Sequence, residues 1–183
     1  MARDIILNLA ISLDGFICDE DGGFAWISGQ GDSQADTADH FDFDAFLASC
    51  DTIVMGRKAY EDCFSSLTDA ADKQFLVASR TPRRPEGSVV FLAGDVVAGD
   101  VVAEVLARKG QPGKHIWLFG GGELASAFIR ADAVDRYIVG ILPVIRGRGR
   151  RLFQEELPPA ELHLDRCTVA NGIPILEYSR RGR

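Results

Sequence analysis

Apolar residues along the chain form short runs, and stretches with helical periodicity separate most of these runs. The runs are strand-length and predict β-strands over 5–12, 52–55, 74–78, 88–92, 115–119, 136–142, 161–170 and 173–179. Helical spacing of apolar residues predicts helices over 39–49, 57–64, 96–108 and 123–130. Strands and helices alternate as far as residue 130, which predicts right-handed crossovers within a largely parallel sheet.

The last two strand-like runs are joined differently from the others. An Asn-Gly pair at 171–172 separates them, and this pair favours a tight β-hairpin. We therefore expect a three-layer α/β/α fold with a mixed, mostly parallel twisted sheet and an antiparallel C-terminal hairpin, in one domain over 1–183. The run over 173–179 should leave an exposed strand edge, through which two protomers could pair as a homodimer.

Charge and composition narrow the class of protein. A formal net charge of −7 argues against a broad nucleic-acid or anionic-membrane surface. The apolar runs are too short to cross a membrane, and the first run follows Met1 without the features of a signal peptide, so we expect a cytoplasmic protein. The four cysteines and three histidines are dispersed, which predicts reduced thiols and no bound metal.

A long polar segment follows the first predicted strand. Residues 19–37 are rich in Gly, Asp and Ser but include Phe24, Trp26 and Ile27. Because long structureless loops in compact domains are usually functional, we expect this segment to be a lid.

Three turns should lie together at the carboxyl ends of parallel strands, where such sheets bind ligands. They are Gly56-Arg57-Lys58, Ser79-Arg80-Thr81 and Gly120-Gly121-Gly122. Glycine amides at a helix start can close on a diphosphate, cations at a helix start call for an anion, and hydroxyls beside a guanidinium suit a ribose 2′-phosphate. Ordinary turn chemistry or a solvated face is the alternative explanation for each turn when it is taken alone. Neither Gly-x-Gly-x-x-Gly nor a Walker loop is present.

Four segments together resemble one superfamily. Residues 54–61, Val-Met-Gly-Arg-Lys-Ala-Tyr-Glu, are similar to the Met-Gly-Arg-Lys-Thr-Trp/Tyr-Glu segment of dihydrofolate reductases and of the RibD C-terminal (riboflavin-biosynthesis reductase) domain. Residues 12–17, Ser-Leu-Asp-Gly-Phe-Ile, resemble the opening of the second group. Phe-Gly-Gly-Gly at 119–122 and the motif over 142–153 follow in the family order. The chain thus resembles a stand-alone RibD C-terminal-like domain.

The resemblance implies NADPH as the cofactor and a dihydrofolate reductase-like fold. The residues that it assigns to the cofactor are Ala10, Gly15, Ile17, Gly56, Arg57, Lys58, Ser79, Arg80, Thr81, Gly121, Gly122 and Glu123. In this assignment Ser79 and Arg80 meet the 2′-phosphate, while Arg57 and Lys58 meet the other phosphates. Ala59 stands where the family usually has threonine, which removes one hydroxyl from the phosphate site.

The proton donor and the substrate contacts are less constrained. Dihydrofolate reductases use an acidic residue on the first helix with a phenylalanine one turn later, and Asp42 with Phe46 has that spacing. Asp39 and Asp44 compete for this role, and an acidic residue at a helix start is also the expected cap. Trp26 and Tyr60 could stack on a substrate or pack in the core.

The sequence departs from true riboflavin-pathway reductases in two places. It lacks their Gly-x-x-Thr-Val-x-x-Asp-Asp-Pro segment, and Phe119 replaces their glutamate before the glycines. We therefore expect an NADPH-dependent reductase of a small pteridine- or pyrimidine-type heterocycle, either 5-amino-6-(5-phosphoribosylamino)uracil reductase-like or dihydrofolate reductase-like. A non-catalytic NADPH-binding or redox-sensing module is the alternative. The missing glycine fingerprint disfavours an ordinary Rossmann dehydrogenase.

Overall fold

A computed structural model describes residues 3–28, 31–96, 99–154 and 156–182. The strands are β1 Ile5–Ser12, β2 Phe16–Cys18, β3 Cys50–Gly56, β4 Gln74–Ser79, β5 Val89–Ala93, β6 His115–Gly120, β7 Arg136–Leu142, β8 Arg150–Arg151, β9 Leu162–Ala170 and β10 Ile173–Arg180. The helices are α1 Phe43–Ser49, α2 Arg57–Cys63, α3 Asp100–Lys109 and α4 Gly122–Arg130. In this described part of the chain, none of the helices is long and apolar enough to cross a membrane.

Eight strands form one mixed sheet in the order β5-β4-β3-β6-β1-β7-β10-β9. Pairings among β1, β3, β4, β5, β6 and β7 are all parallel, so these six strands end at the same edge. Strand β10 runs antiparallel to both β7 and β9. The predicted α/β/α fold with its antiparallel C-terminal hairpin is therefore confirmed.

The hairpin reverses one sequence-based expectation. Strand β10 is paired on both sides, so the prediction of an exposed edge over 173–179 was wrong. The outer strand is β9, Leu162–Ala170, which has β10 as its sole partner within the sheet. The chain places the first strand of the hairpin outermost, and local sequence does not encode that choice.

Helices cover both faces of the sheet. Val105 of α3 and Phe128 of α4 are fully buried against one face, in a cluster that includes Leu7 of β1. Phe46 and Leu47 of α1 are buried against the opposite face. Burial of an apolar side chain of this size stabilises the fold by about 1.5–3 kcal/mol, so these contacts fix the helices to the strands.

Two predicted helices start later than their patterns indicated. Helix α1 begins at Phe43 because Asp42 is extended (φ −92°, ψ 97°) and its carboxylate accepts a hydrogen bond from the Ala45 amide. Helix α3 begins at Asp100, after Gly99 in the left-handed region at φ 86°. Positions 97 and 98 of the predicted helix over 96–108 lie outside the described residues.

The carboxylate of Asp14, just after β1, organises the turn at the end of that strand. Its carboxylate accepts hydrogen bonds from the Ser12 hydroxyl at 2.7 Å and from the amides of Arg146 at 3.0 Å and Gly147 at 2.7 Å. These bonds, that from Ser12 foremost, lower the pKa of Asp14 from 3.8 to about 2. The turn after β1 is thereby joined to the loop after β7.

Helix α4 and the short strand β8 approach each other closely at Gly122. A Cβ atom at this position would lie 2.3 Å from the carbonyl oxygen of Arg151. Only glycine therefore allows the start of α4 to pack against β8 in this arrangement. The pair β2–β8 was not predicted, since strands of three and two residues are too short to show a period.

We expect Gly122→Ala to lower the free energy of unfolding by about 1–3 kcal/mol, because a backbone carbonyl must shift to admit the methyl group. Urea denaturation without cofactor measures this change. Gly110→Ala is the matched control, since its methyl would meet the nearest atom at an ordinary 3.5 Å. Equal stability of the two variants would contradict the close packing at Gly122.

We expect Asp14→Asn to be less stable than wild type near pH 6, because the amide group cannot accept all three hydrogen bonds. The folded-state pKa of Asp14 lies below its unfolded value, so its contribution is complete above pH 3.8 and is lost as the pH falls through about 2. The gap between the urea midpoints of the two proteins, measured from pH 6 to pH 3, should therefore begin to narrow once the pH falls below 3.8. A gap that stays constant over this range would rule out the carboxylate as its source.

Candidate functional site

One large cleft of about 1370 Å³ lies along the carboxyl edge of the parallel strands. Each of five strands contributes a lining residue at or near its end. They are Ala10 of β1, Gly56 of β3, Ser79 of β4, Gly121 directly after β6, and Leu142 of β7. The cleft thus lies where doubly wound sheets bind ligands.

The three predicted turns all face this cleft. Its lining includes Gly56, Arg57, Lys58, Ser79, Arg80, Thr81, Gly121, Gly122 and Glu123, together with Ala10 and Ile17. Eleven of the twelve residues that the sequence assigns to a cofactor therefore lie around one space, with Gly15 as the exception. The order of the strands in the sheet places the 79–81 turn, the 56–58 turn and the 120–122 turn side by side.

Positive charge predominates in the cleft although the chain is acidic overall. Among the described lining residues the cations are Arg57, Lys58, Arg80, Arg150 and Arg151, whereas the acids are Asp62 and Glu123. The full chain has 20 Lys and Arg against 27 Asp and Glu. An excess of cations in a concave site raises the local concentration of anions, so this part of the cleft is suited to phosphate groups. We call the region of Arg57, Lys58 and Arg80 the cationic end.

Ser79 and Arg80 have partners of their own. The buried Ser79 hydroxyl donates to the Thr81 carbonyl at 2.7 Å and accepts from the Thr81 amide at 3.2 Å, which fixes the shape of the turn. The exposed Arg80 guanidinium donates to Glu123 at 3.0 Å. An anion that binds Arg80 must therefore compete with the Glu123 carboxylate.

A segment over 19–28, which we call the lid segment, covers part of the cleft. Phe24, Ile27 and Ser28 are among its lining residues. Two cations of the cleft hold the segment through its backbone: Lys58 Nζ donates to the Asp21 carbonyl at 3.2 Å, and Arg150 donates to the Glu20 carbonyl at 2.9 Å. Of the segment 19–37 that the sequence predicts as a lid, the part over 19–28 therefore contributes to the cleft, residues 31–37 are not among its lining residues, and positions 29 and 30 lie outside the described residues.

The other end of the cleft is apolar and rich in aromatic rings. It is formed by Asn8, Phe41, Phe43, Trp117, Phe119, Gly140, Ile173 and Ile175, which we call the aromatic end. The Phe43 and Trp117 rings meet edge to face, with centroids 5.7 Å apart. The Trp117 indole donates to the Asn8 carbonyl at 2.9 Å, which fixes the ring over β1. A flat heterocycle could stack against such rings.

Sequence reasoning missed most of the aromatic end. Apolar periodicity marks Trp117 and Phe119 only as strand residues, and it does not separate a cleft wall from a core. Asn8 did carry a signal, because it is the one polar residue between Ile5 and Ile11 in an otherwise apolar strand.

The residues predicted to contact the substrate lie outside the described lining of the cleft. Phe46 is buried in the core, with its ring centroid 5.5 Å from that of Trp117. Tyr60 packs on Phe64 at 4.7 Å. Trp26 lies beneath the Arg146 guanidinium at 5.5 Å. Each of these three aromatic residues thus has a packing role in the structure.

Asp42 and Gly15 also lie outside that lining. The exposed Asp42 carboxylate accepts from the Ala45 amide at 2.8 Å, as an N-cap does. Gly15 has a φ of 89° in the turn after β1, and its amide donates to the Ser12 carbonyl at 2.9 Å. Of the competing acids, Asp39 forms an ion pair with Arg166 at 2.6 Å. None of these groups is among the described lining residues of the cleft.

Comparison with known proteins agrees with this geometry. The chain is 32% identical to the uncharacterized protein YyaP of Bacillus subtilis over an alignment of 194 residues. This alignment covers 98% of this chain and 96% of YyaP. A putative riboflavin biosynthesis protein from Shewanella has a similar structure, with a TM-score of 0.74 and 25% identity over 99% of both chains.

A more distant likeness concerns the fold. Dihydrofolate reductase from Enterococcus faecalis, solved with NADP(H), superposes with a TM-score of 0.67 at 16% identity, over 97% of this chain and 96% of that chain. The family model of the RibD C-terminal domain matches residues 3–173. The chain therefore belongs to the RibD C-terminal domain family, whose fold is that of dihydrofolate reductase.

Proposed function

We propose that this protein is an NADPH-dependent reductase that passes hydride to a small pteridine- or pyrimidine-type heterocycle. The observation that carries the proposal is the arrangement of the cleft, in which a cationic end and an aromatic end are joined at the glycine turn 120–122. A dinucleotide needs the first end and a flat ring needs the second.

The residues of the cationic end fit the phosphates of NADPH. Arg57 and Lys58 would hold phosphate oxygens, and the backbone of Gly121 and Gly122 would approach the diphosphate at the start of the nine-residue helix α4. A Cβ on Gly121 would meet Ile17 Cδ1 at 3.8 Å, an ordinary contact, so the Gly121 backbone lies directly beside the lining residue Ile17. The structure of the Enterococcus relative with NADP(H) supports this choice of cofactor.

In this proposal the nicotinamide ring lies between the two ends of the cleft. Ala10 and Ile17 would border the ring, and the Gly15 turn would support them without touching it. When bound, the reduced nicotinamide supplies the hydride, and the protein has to orient the ring and exclude water. Phe24 and Ile27 of the lid segment are placed to exclude water from this part of the cleft.

The aromatic end favours a neutral ring. In the described residues of that end there is neither a carboxylate for a cationic substrate nor a cation for a substrate phosphate. The proposal therefore favours an unphosphorylated pteridine or pyrimidine over a phosphoribosylamino substrate. If the protein is instead a non-catalytic NADPH-binding module, NADPH will bind and a panel of dihydropterins and aminouracils will leave its absorbance unchanged.

We expect Arg80 and Glu123 to control the choice between NADPH and NADH. Arg80→Gln should weaken NADPH binding about 3- to 10-fold and leave NADH unchanged, since an exposed charge-assisted contact to the 2′-phosphate is lost. Glu123→Gln should strengthen NADPH relative to NADH, because it removes the competing carboxylate. Calorimetric Kd values for both cofactors test this.

Arg83→Gln is the matched control for these variants, because Arg83 lies over the Phe91 ring at 5.4 Å and outside the described lining of the cleft. Equal losses of NADPH and NADH affinity in Arg80→Gln would remove Arg80 from the 2′-phosphate site.

The variant Asp42→Asn distinguishes the capping role of Asp42 from its predicted role as proton donor. Asparagine caps helices as well as aspartate does, so the fold should be retained. Because the carboxylate already caps α1 and is not among the described lining residues of the cleft, we expect turnover to change less than about 2-fold, whereas loss of a general acid costs about 100-fold or more. Steady-state kcat between pH 5 and 8 measures this. A large, pH-dependent loss would restore Asp42 as the catalytic acid.

A further inference from the structure

Asn8 is a polar residue in the middle of the most central strand of the sheet. Strand β1 is otherwise apolar from Ile5 to Ile11, and asparagine is disfavoured in strands. On the same face of the strand, Ile6 belongs to the core and Ala10 lines the cleft. Packing alone would favour an apolar residue at position 8.

The side-chain amide of Asn8 lacks an internal partner. Its Nδ2 atom is buried and makes no hydrogen bond to any described residue. A buried donor without an acceptor is costly, and such groups in native structures call for an explanation. The backbone of Asn8 is well held, since its carbonyl accepts the Trp117 indole at 2.9 Å. The backbone that carries the unpaired amide is thus fixed to β6.

The surroundings of this amide make it the distinctive polar group of the cleft floor. Strands β1, β6, β7 and β10 contribute Asn8, Leu9, Ala10, Trp117, Phe119, Gly140, Leu142, Ile173 and Ile175 to the lining. Among these side chains, hydrogen-bonding groups occur on Asn8 and Trp117, and the Trp117 indole is already bonded. Among these side chains the Asn8 amide is therefore the one donor without a bond, and it lies two residues along β1 from Ala10.

We propose that Asn8 selects the substrate by donating from Nδ2 to an exocyclic carbonyl oxygen of its ring. This inference rests on the proposed function and assigns the substrate class within it, namely oxo-substituted heterocycles in preference to their amino-substituted analogues. In the orientation in which Nδ2 faces the ligand, an exocyclic amino group presents a donor to a donor and leaves Nδ2 unpaired. A carbonyl bonded to Asn8 also fixes the ring beside the residues that border the proposed nicotinamide position.

Two matched ligand pairs test this. Pterin and 2,4-diaminopteridine differ in an oxo or amino group at one ring position, and so do uracil and cytosine. With NADP⁺ at saturation, calorimetry should give wild type a preference of about 10-fold or more for the oxo member of at least one pair. Asn8→Leu should lose that preference by weakening the oxo ligand alone, and Asn8→Asp should reverse it.

The melting temperature of Asn8→Leu distinguishes a role of Asn8 in ligand binding from a role in the stability of the fold. If Asn8 serves the ligand, Asn8→Leu removes an unpaired donor and should raise or preserve the melting temperature without ligand. A fall in melting temperature together with unchanged oxo-ligand affinity would overturn the inference.

The outcomes also separate this inference from the proposed function. NADPH should bind wild type and both Asn8 variants with equal Kd, because Asn8 lies outside the cationic end. If NADPH binds but neither ligand pair binds wild type, or if wild type does not prefer the oxo member, the role of Asn8 is wrong and the cofactor site stands. If NADPH itself fails to bind, the proposed function is wrong.

Discussion

The structure depends on parallel pairing that brings six strand ends to one edge of the sheet. Each of these strands is buried between helices, so its turn at the carboxyl end is where polar and glycine residues are tolerated. Residues that are far apart in the chain, such as Ala10, Ser79 and Gly121, therefore line one cleft. The candidate site lies at this edge because the rest of each strand is occupied by packing.

The order of strands gives the cleft its chemical gradient. Arg80 follows β4 and Arg57 follows β3, the glycine turn follows β6, and the aromatic end lies over β1, β7 and β10. Strand β10 adds Ile175 to the apolar wall because it pairs directly with β7. The C-terminal hairpin thus completes the proposed substrate half of the cleft.

Much of this arrangement could be predicted from sequence. The strand Arg136–Leu142 and the convergence of the three turns follow from periodicity and from the rule that parallel strands end together. The roles of Phe46 and Tyr60 could not be predicted, since the same aromatic signal marks a core residue and a stacking surface. Asp42 was ambiguous for a similar reason: a capping carboxylate and a catalytic one look alike until its partner, Ala45, is known.

The two contacts that hold the lid segment use neutral acceptors. Lys58 and Arg150 bond to the backbone carbonyls of Asp21 and Glu20, and a phosphate oxygen is a stronger acceptor than either carbonyl. Buffer anions at high concentration can therefore take over the same ammonium and guanidinium groups. Phosphate or sulfate buffers would loosen this segment where chloride or a zwitterionic buffer leaves it closed, so the choice of buffer decides which state of the protein is observed.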